Sequence, residues 1–116
     1  MRKSQEEAQR ICTSNGGRLF EPRNKKENKE VADAGYEIDG FDDWWIGVDD
    51  KDSEGRFQWS SNKEDINFSN WNLGQPNSYH GKEDCVSMWT SSNSDDHGKW
   101  YDWSCSETWR FICEFT

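Results

Sequence analysis

What this 116-residue chain can fold into is limited most strongly by its four cysteines, Cys12, Cys85, Cys105 and Cys113. An even number of cysteines in a small Trp-rich chain indicates two disulfides and an oxidising compartment, so we expect a secreted, extracellular protein. The sequence has no Cys-x-x-Cys pair and only two histidines, which argues against a zinc site. Four cysteines allow three pairings, and their spacing alone does not choose between them.

Aromatic residues supply the material for a core in an otherwise polar chain. Hydrophobic residues make up only 31% of the sequence, but eight Trp, six Phe and three Tyr are present. Because a few large aromatic side chains bury as much area as many aliphatic ones, this composition predicts a compact domain and not a disordered chain. The length fits one domain, so we expect residues 1–116 to form a single one.

The formal net charge of −9 at pH 7 limits the possible partners. Nucleic acids and anionic membrane surfaces are bound through basic patches, so we expect neither as a partner. No apolar run approaches membrane-spanning length, so we expect no insertion into a membrane.

The first third of the chain carries the signals of two helices. Ser4 and Glu7 form the pattern of a capping box, and the Gly16-Gly17 pair is expected to end the helix that starts there. A second helix is predicted over residues 24–35, with an Asn at its N-terminus and Gly35 at its end.

From Trp44 onward the sequence is typical of short strands joined by turns. Strands are predicted at residues 44–48, 57–59, 86–89, 100–101 and 111–115. Residues 60–82 are polar and irregular, and a loop of this length inside a compact domain is usually functional or disordered. Helices followed by short strands around a long loop predict an α+β fold.

Side chains with oxygen ligands are concentrated near the end of this loop and beyond it. Gln75 and Asn77 flank a proline, and the adjacent carboxylates Glu83 and Asp84 follow. Asp102 lies further along, between two aromatic residues. Amide and carboxylate oxygens suit a hard cation such as calcium and not zinc or copper. We therefore expect a calcium site that holds a ligand.

Four short motifs, taken in order, carry a resemblance to a known family. They are Trp45-Ile46-Gly47, Gln75-Pro76-Asn77, Glu83-Asp84-Cys85-Val86 and Trp100-Tyr101-Asp102. Over almost its whole length the sequence resembles a C-type lectin-like domain, whose corresponding motifs are a WIGL-type strand, Glu-Pro-Asn or Gln-Pro-Asp, a carboxylate pair and Trp-Asn-Asp. The resemblance implies two helices packed on small antiparallel sheets, with a long ligand-binding loop region.

The resemblance also implies the disulfide pairing, Cys12–Cys113 and Cys85–Cys105. The family usually begins with a strand before the first helix, and this sequence starts almost at that helix. That family strand pairs with the C-terminal strand, so we expect an open strand edge at residues 111–115.

A principal calcium ion, with sugar hydroxyls completing its shell, is implied by the family's motifs. The residues carried over as its ligands, which also contact the sugar, are Gln75, Asn77, Glu83 and Asp102, with a cis bond before Pro76. Tyr101 stands where the family has Asn, and a neutral phenol is a poor calcium ligand. We therefore expect a calcium shell that lacks one usual oxygen.

A second, auxiliary calcium ion is held in the family by carboxylates that include an acidic turn. The residues that match its places are Asp50, Glu54, Glu83 and Asp84, while Ser78 stands where the family often has Asp. For Asp50 and Glu54 the alternative is a solvated acidic turn without a metal.

The sugar preference is implied by the Pro motif and its surroundings. In the family Glu-Pro-Asn favours mannose and Gln-Pro-Asp favours galactose, so the hybrid Gln75-Pro76-Asn77 does not decide. Tyr79 lies where galactose-binding relatives often place a ring that packs on the sugar, which favours galactose or N-acetylgalactosamine. The alternative is that Tyr79 only covers the loop.

These patterns lead us to expect a calcium-dependent carbohydrate-binding lectin. The alternative is a C-type-lectin-like domain that binds a protein, ice or a mineral, with weak or no sugar binding. We expect no enzyme, because the adjacent acids are a poor acid–base pair and no nucleophile–base arrangement is visible. Single lectin sites bind monosaccharides weakly, so a homo-oligomer would add multivalency.

Overall fold

The computed structural model describes residues 2–77 and 83–115, except for the side chains of residues 83 and 84. Along the chain the elements are α1 (Gln5–Ser14), β1 (Gly17–Leu19), α2 (Lys25–Asp39), β2 (Asp42–Asp49), β3 (Gln58–Trp59), β4 (Glu83–Thr90), β5 (Trp100–Ser104), β6 (Arg110–Phe111) and β7 (Cys113–Phe115). Helices followed by short, mostly antiparallel strands form the α+β arrangement predicted from the sequence.

Helix α1 begins with the predicted capping box. The Ser4 hydroxyl accepts from the main-chain N–H of Glu7 over 3.3 Å, and the Glu7 carboxylate accepts from the Ser4 N–H over 3.2 Å. The helix ends at Ser14, and Gly16 adopts the left-handed conformation (φ 85°) that turns the chain into β1. The sequence does not predict β1, which is only three residues long.

Helix α2 begins as predicted but continues past its predicted end. The Asn24 side chain caps it by accepting from the Glu27 N–H over 2.9 Å. The prediction that the helix ends at Gly35 is wrong, because α2 continues and its C-terminal cap is Gly40 (φ 67°). A Cβ atom on Gly35 would lie 3.2 Å from Cε2 of Trp44, so this glycine permits close approach of the helix to the sheet.

The strands form a larger and a smaller sheet in the described part of the chain. The larger has the order β3-β2-β4-β5, and β6 pairs with β2 in parallel. In the smaller, β1 and β7 are antiparallel, with Leu19 opposite Cys113 and Gly17 opposite Phe115. One edge of β7 is thus paired with a strand that the sequence does not predict, and no third strand joins this sheet among the described residues.

The core consists of two adjoining clusters on the two faces of the larger sheet. The cluster that includes α2 contains Phe20, Ala32, Ile46, Val48, Phe57, Trp59, Val86, Met88 and Trp100. The cluster that includes α1 contains Ala8, Cys12, Leu19, Trp45 and Cys85. Both disulfides implied by the resemblance, Cys12–Cys113 and Cys85–Cys105, are formed beside the second cluster.

The long loop runs beside β5 and so carries its last residues to that strand. Trp100 donates its main-chain N–H to the Asn70 carbonyl over 2.8 Å, and its own carbonyl accepts from the Asn72 N–H over 3.1 Å. The ring of Trp71 packs edge-on against Trp100 at a centroid distance of 5.6 Å. These contacts fix the residues that immediately precede the Pro motif.

Candidate functional site

A tight turn presents the Pro motif at the edge of the domain. The Gln75 N–H donates to the Asn72 carbonyl over 2.9 Å, and Gly74 has the positive φ (85°) that this turn requires. The Gln75–Pro76 peptide bond is cis, as the resemblance implies. Gln75 is half-buried, while Pro76 and Asn77 are exposed. The motif therefore lies at the protein surface on a turn with defined geometry.

Asp102 joins this motif to β5. It lies opposite Val86 in the sheet and is only 2% exposed. Its main-chain N–H donates to Oε1 of Gln75 over 3.3 Å, and its Oδ1 accepts from the Asn77 N–H over 3.0 Å. Three of the four residues predicted to hold the principal calcium ion thus meet in one hydrogen-bonded group.

The fourth predicted ligand can be located only by its main chain. Residue Glu83 begins β4 and lies opposite Ser104, two positions from Asp102 on the neighbouring strand. The Glu83 and Asp84 side chains and all of residues 78–82, which include Tyr79, are outside the described residues. Their roles in binding calcium or sugar therefore stay predictions.

Tyr101 replaces the asparagine of the family motif, and its phenol oxygen is already engaged within the domain. Its phenol oxygen accepts from Nδ2 of Asn72 over 2.7 Å, and its ring stacks on Trp103 at a centroid distance of 6.3 Å. Burial raises the pKa of the phenol, and the negative charges of Asp96 and Asp43 add to that rise. The oxygen therefore stays protonated and already has a partner.

Asn72 is the one residue of this group that the sequence does not single out. It begins the turn before the Pro motif and contacts both Tyr101 and the main chain of Trp100. The asparagine two residues before a glycine is a turn signal that marks this position. The sequence does not predict its contacts with β5, because they form only when the loop lies beside that strand.

The acidic turn predicted for the auxiliary calcium ion is closed by one of its own carboxylates. Asp50 is 1% exposed, and its Oδ2 accepts from the Gly55 N–H over 2.7 Å. Glu54 is exposed in the same turn. Asp50 therefore has a structural role in shaping the turn, whatever it binds in addition.

Comparison with known proteins identifies the family. The model of the Lectin C-type domain family matches residues 1–115. The chain belongs to this family. C-type lectins bind carbohydrate and are not enzymes, so the expectation that this chain is not an enzyme is confirmed.

Curated C-type lectins from vertebrates and insects are similar to this one. Human C-type lectin domain family 3 member A is 41% identical over 112 residues, which cover 95% of this chain and 53% of that protein. Human collectin-10 is 38% identical over 104 residues, covering 90% and 35%. Salivary C-type lectin 1 of Aedes albopictus is 32% identical over 111 residues, covering 92% and 72%. The chain thus spans about half of the first human relative and a third of the second.

Solved structures confirm the C-type lectin fold. Human lithostathine is 29% identical with a TM-score of 0.83, covering 99% of this chain and 78% of that one. The carbohydrate-recognition domain of cow CD23, solved in the presence of a GlcNAc2Man3 oligosaccharide, is 27% identical with a TM-score of 0.81, covering 99% and 82%. C-type lectin CEL-I from Cucumaria echinata, 24% identical with a TM-score of 0.86 over 97% and 83%, supports the fold alone.

The donor set of this C-type lectin site fits calcium. Among the described residues no three His, Cys, Asp or Glu side chains cluster as a metal site. The Gln75 amide and the Asp102 carboxylate meet next to Asn77, whose main-chain N–H donates to that carboxylate. Calcium accepts amide, carboxylate and sugar oxygens in a flexible shell of six to eight ligands. A zinc or copper site would need nitrogen or sulfur donors, which this group lacks.

Proposed function

We propose that this C-type lectin domain binds carbohydrate through a calcium ion held by Gln75, Asn77, Glu83 and Asp102. The observation that carries the proposal is the pair of hydrogen bonds from the Pro motif to Asp102, 3.0 and 3.3 Å long. They bring the Gln75 side chain, the Asp102 carboxylate and the Asn77 main chain together at the edge of the domain. When bound, calcium supplies open coordination positions for two hydroxyl oxygens of a sugar.

The chain's own residues would fix the geometry of this site. Asp102 sits on β5 and is almost fully buried, so its carboxylate has little freedom to move. The Asn72–Gln75 turn is bound to the same strand through Asn72. A preformed ligand set lowers the entropy lost on binding and so favours affinity.

We further propose galactose or N-acetylgalactosamine as the preferred sugar. The support is the glutamine at the first position of the Pro motif, together with Tyr79 as a ring that packs on the apolar face of the sugar. Asn77 at the third position departs from the galactose-type motif, so Tyr79 carries most of this preference.

One observation favours a second candidate function. Because the Tyr101 oxygen is engaged by Asn72 at 2.7 Å, the shell lacks the ligand that the family's asparagine supplies. A domain with weakened calcium binding would instead use this surface for a protein, ice or a mineral, with weak or no sugar binding. This candidate predicts that any ligand is retained without calcium.

The setting of the protein follows from the same proposal. Two disulfides indicate an extracellular location, where millimolar calcium makes even a weak site useful. Within the described residues no helix combines the length and apolar character needed to cross a membrane. A homo-oligomer would raise avidity for clustered glycans.

Affinity chromatography tests the proposed function. The protein is loaded on galactose resin and on mannose resin with calcium, and each column is then washed with a chelator. We expect retention on the galactose resin and release by the chelator. Retention that ignores the chelator, or no retention on either sugar, would favour the second candidate function.

A further inference from the structure

A row of aromatic rings lies on the surface outside the proposed calcium site. Ring centroids of His97 and Tyr36 are 6.1 Å apart, those of Tyr36 and Phe41 6.0 Å, and those of Phe41 and Trp89 6.2 Å. Phe41 is 58% exposed. Along β4, Trp89 is six residues from Glu83 and three residues, or about 10 Å, from Val86, the cross-strand partner of Asp102. The row shares no residue with the set proposed to bind calcium and sugar.

Phe41 is the most exposed ring of this row, and its neighbours Tyr36 and Trp89 are partly exposed. Apolar and aromatic side chains that are exposed together on one surface mark an interaction site more often than single exposed residues do. We call the surface formed by Tyr36, Phe41 and Trp89 the aromatic surface.

A cavity with two carboxylates opens at one end of the aromatic surface. Its volume is about 340 Å³, and Asp33, Tyr36 and Glu37 of α2 form one wall. The opposite wall consists of serine side chains and His97 from the turn between β4 and β5. Among the described residues that line this cavity there is no lysine or arginine.

The charges around this cavity are well defined. Glu37 is exposed and forms no ion pair with any described residue. Nδ1 of His97 accepts from the Ser91 N–H over 3.0 Å, which leaves Nε2 to donate to Asp33 over 2.9 Å. Lys29 contacts Asp33 from the solvent side at 2.8 Å in an exposed pair, which is a weak interaction.

A further carboxylate lies at the other end of the aromatic surface. Asp43 is the direct cross-strand neighbour of Trp89, and its Oδ1 accepts from the Ser87 hydroxyl over 2.9 Å. Asp43 itself is largely buried, and Arg2 and Arg110 pair with the adjacent Asp42. The acids open to a partner are therefore those that line the cavity at the other end of the surface. A neutral glycan would leave these acids unused, whereas a basic side chain would pair with them.

We propose that the aromatic surface docks a basic segment of a partner protein. A lysine or arginine side chain of that segment enters the cavity between Asp33 and Glu37, and an apolar side chain of the segment packs on Phe41. The aromatic rings add cation–π attraction for a neighbouring basic side chain. Because the surface shares no residue with the proposed calcium site, we expect a bound partner to leave the glycan site accessible.

A peptide titration followed by NMR tests this proposal. The ¹⁵N-labelled chain is titrated with an acetylated hexapeptide amide of alternating arginine and leucine, and the amide shifts are recorded. The matched probe replaces arginine by citrulline, which keeps the shape and removes the charge. We expect saturable shifts confined to residues 33–41 and 89–97, unchanged by a calcium chelator. Failure of the sugar proposal would therefore not affect this result.

Two variants test the surface, and two others are their matched controls. Glu37→Lys and Phe41→Ser are each expected to weaken binding by at least about fivefold. Glu6→Lys makes the same charge change on an exposed position of α1, and Phe115→Ser removes another exposed ring, 62% accessible; both are expected to stay within about twofold of the unmodified chain.

Several results would overturn the proposal. The first is the absence of saturable shifts at millimolar peptide. The second is a loss of peptide affinity in Glu6→Lys as large as that in Glu37→Lys. The third is binding of the citrulline peptide as tight as that of the arginine peptide. A fourth result is that lactose shifts the same amide signals and that Phe41→Ser abolishes these shifts. It would assign the surface to a glycan and not to a basic segment.

Discussion

The main-chain N–H of Asn77 donates a hydrogen bond to Oδ1 of Asp102 over 3.0 Å. This contact joins the residue after the cis proline to the middle of β5, twenty-five positions further along the chain. It makes the Pro motif and the Asp of the last motif one structural unit, on which the proposed calcium site depends. Substitutions at either end should therefore change metal binding.

Asp102→Asn should weaken calcium binding by at least roughly tenfold, because calcium affinity follows the charge of the ligand set. The amide oxygen of the variant can still accept from the Asn77 N–H, so the fold is expected to persist. Calorimetric titration of calcium measures the change, with Asp52→Asn in the exposed acidic turn as the control. Unchanged calcium affinity in Asp102→Asn would remove this residue from the site.

Tyr101→Asn should increase calcium affinity by about tenfold, because it restores an amide oxygen to the ligand set. Tyr101→Phe removes only the hydroxyl that accepts from Asn72 and is expected to cost about 1 kcal/mol of stability without improving calcium binding. Calcium titration and chemical denaturation of both variants separate these effects. An equal gain in the two variants would show that relief of the Asn72 contact, and not a new ligand, causes it.

Asp43→Asn should stabilise the protein at neutral pH. Burial raises the pKa of Asp43 to about 6, against an ordinary value of 3.8, and the charge of Asp42 adds to the rise. The folded state therefore holds this proton more tightly than the unfolded state does. The stability that protonation of Asp43 contributes is complete below about pH 4 and is lost as the pH rises through 6.

Chemical denaturation of this variant and of the unmodified protein from pH 3.5 to 7.5 provides the measurement. The variant is expected to gain roughly 1–3 kcal/mol relative to the unmodified protein at pH 7.5, with the gain shrinking as the pH falls through 6 toward 4. A difference that does not vary with pH would mean that ionisation of Asp43 is not its cause.

Removal of the two disulfides should have unequal effects, because they close loops of different length. Their sequence separations are 101 residues for Cys12–Cys113 and 20 for Cys85–Cys105. Replacing each pair by alanine is expected to cost about 4.7 kcal/mol for the first and about 3 for the second in the chain-entropy account. Thermal unfolding of the two double variants gives the order, and a larger loss from the shorter loop would contradict it.

Most of the fold is predictable from local signals in the sequence. The capping box at Ser4 and the Asn24 cap fix the starts of both helices, and the lectin motifs imply both disulfides. The end of α2 is not predictable in this way. Gly35 reads as a stop signal, but its lack of a side chain serves the packing of Trp44, which is a tertiary cause.

The candidate site is predictable in its members but not in its full geometry. The Pro motif and Asp102 are recognisable from their residue types and order. The hydrogen bond from Asn72 to Tyr101 is not predictable from the sequence, because it requires the loop to lie beside β5, where main-chain contacts hold it. Short strand β1 is likewise invisible in the sequence, because three residues carry too little pattern.

Calorimetric titration of calcium in the absence and presence of saturating galactose tests the central claim most directly. If the ion held by Gln75, Asn77, Glu83 and Asp102 also contacts the sugar, then each ligand must raise the affinity of the other by the same factor. We predict tighter calcium binding when galactose is present, and loss of this coupling in Asp102→Asn. Equal calcium affinity with and without galactose, or galactose binding that persists in chelator, would contradict the proposed site.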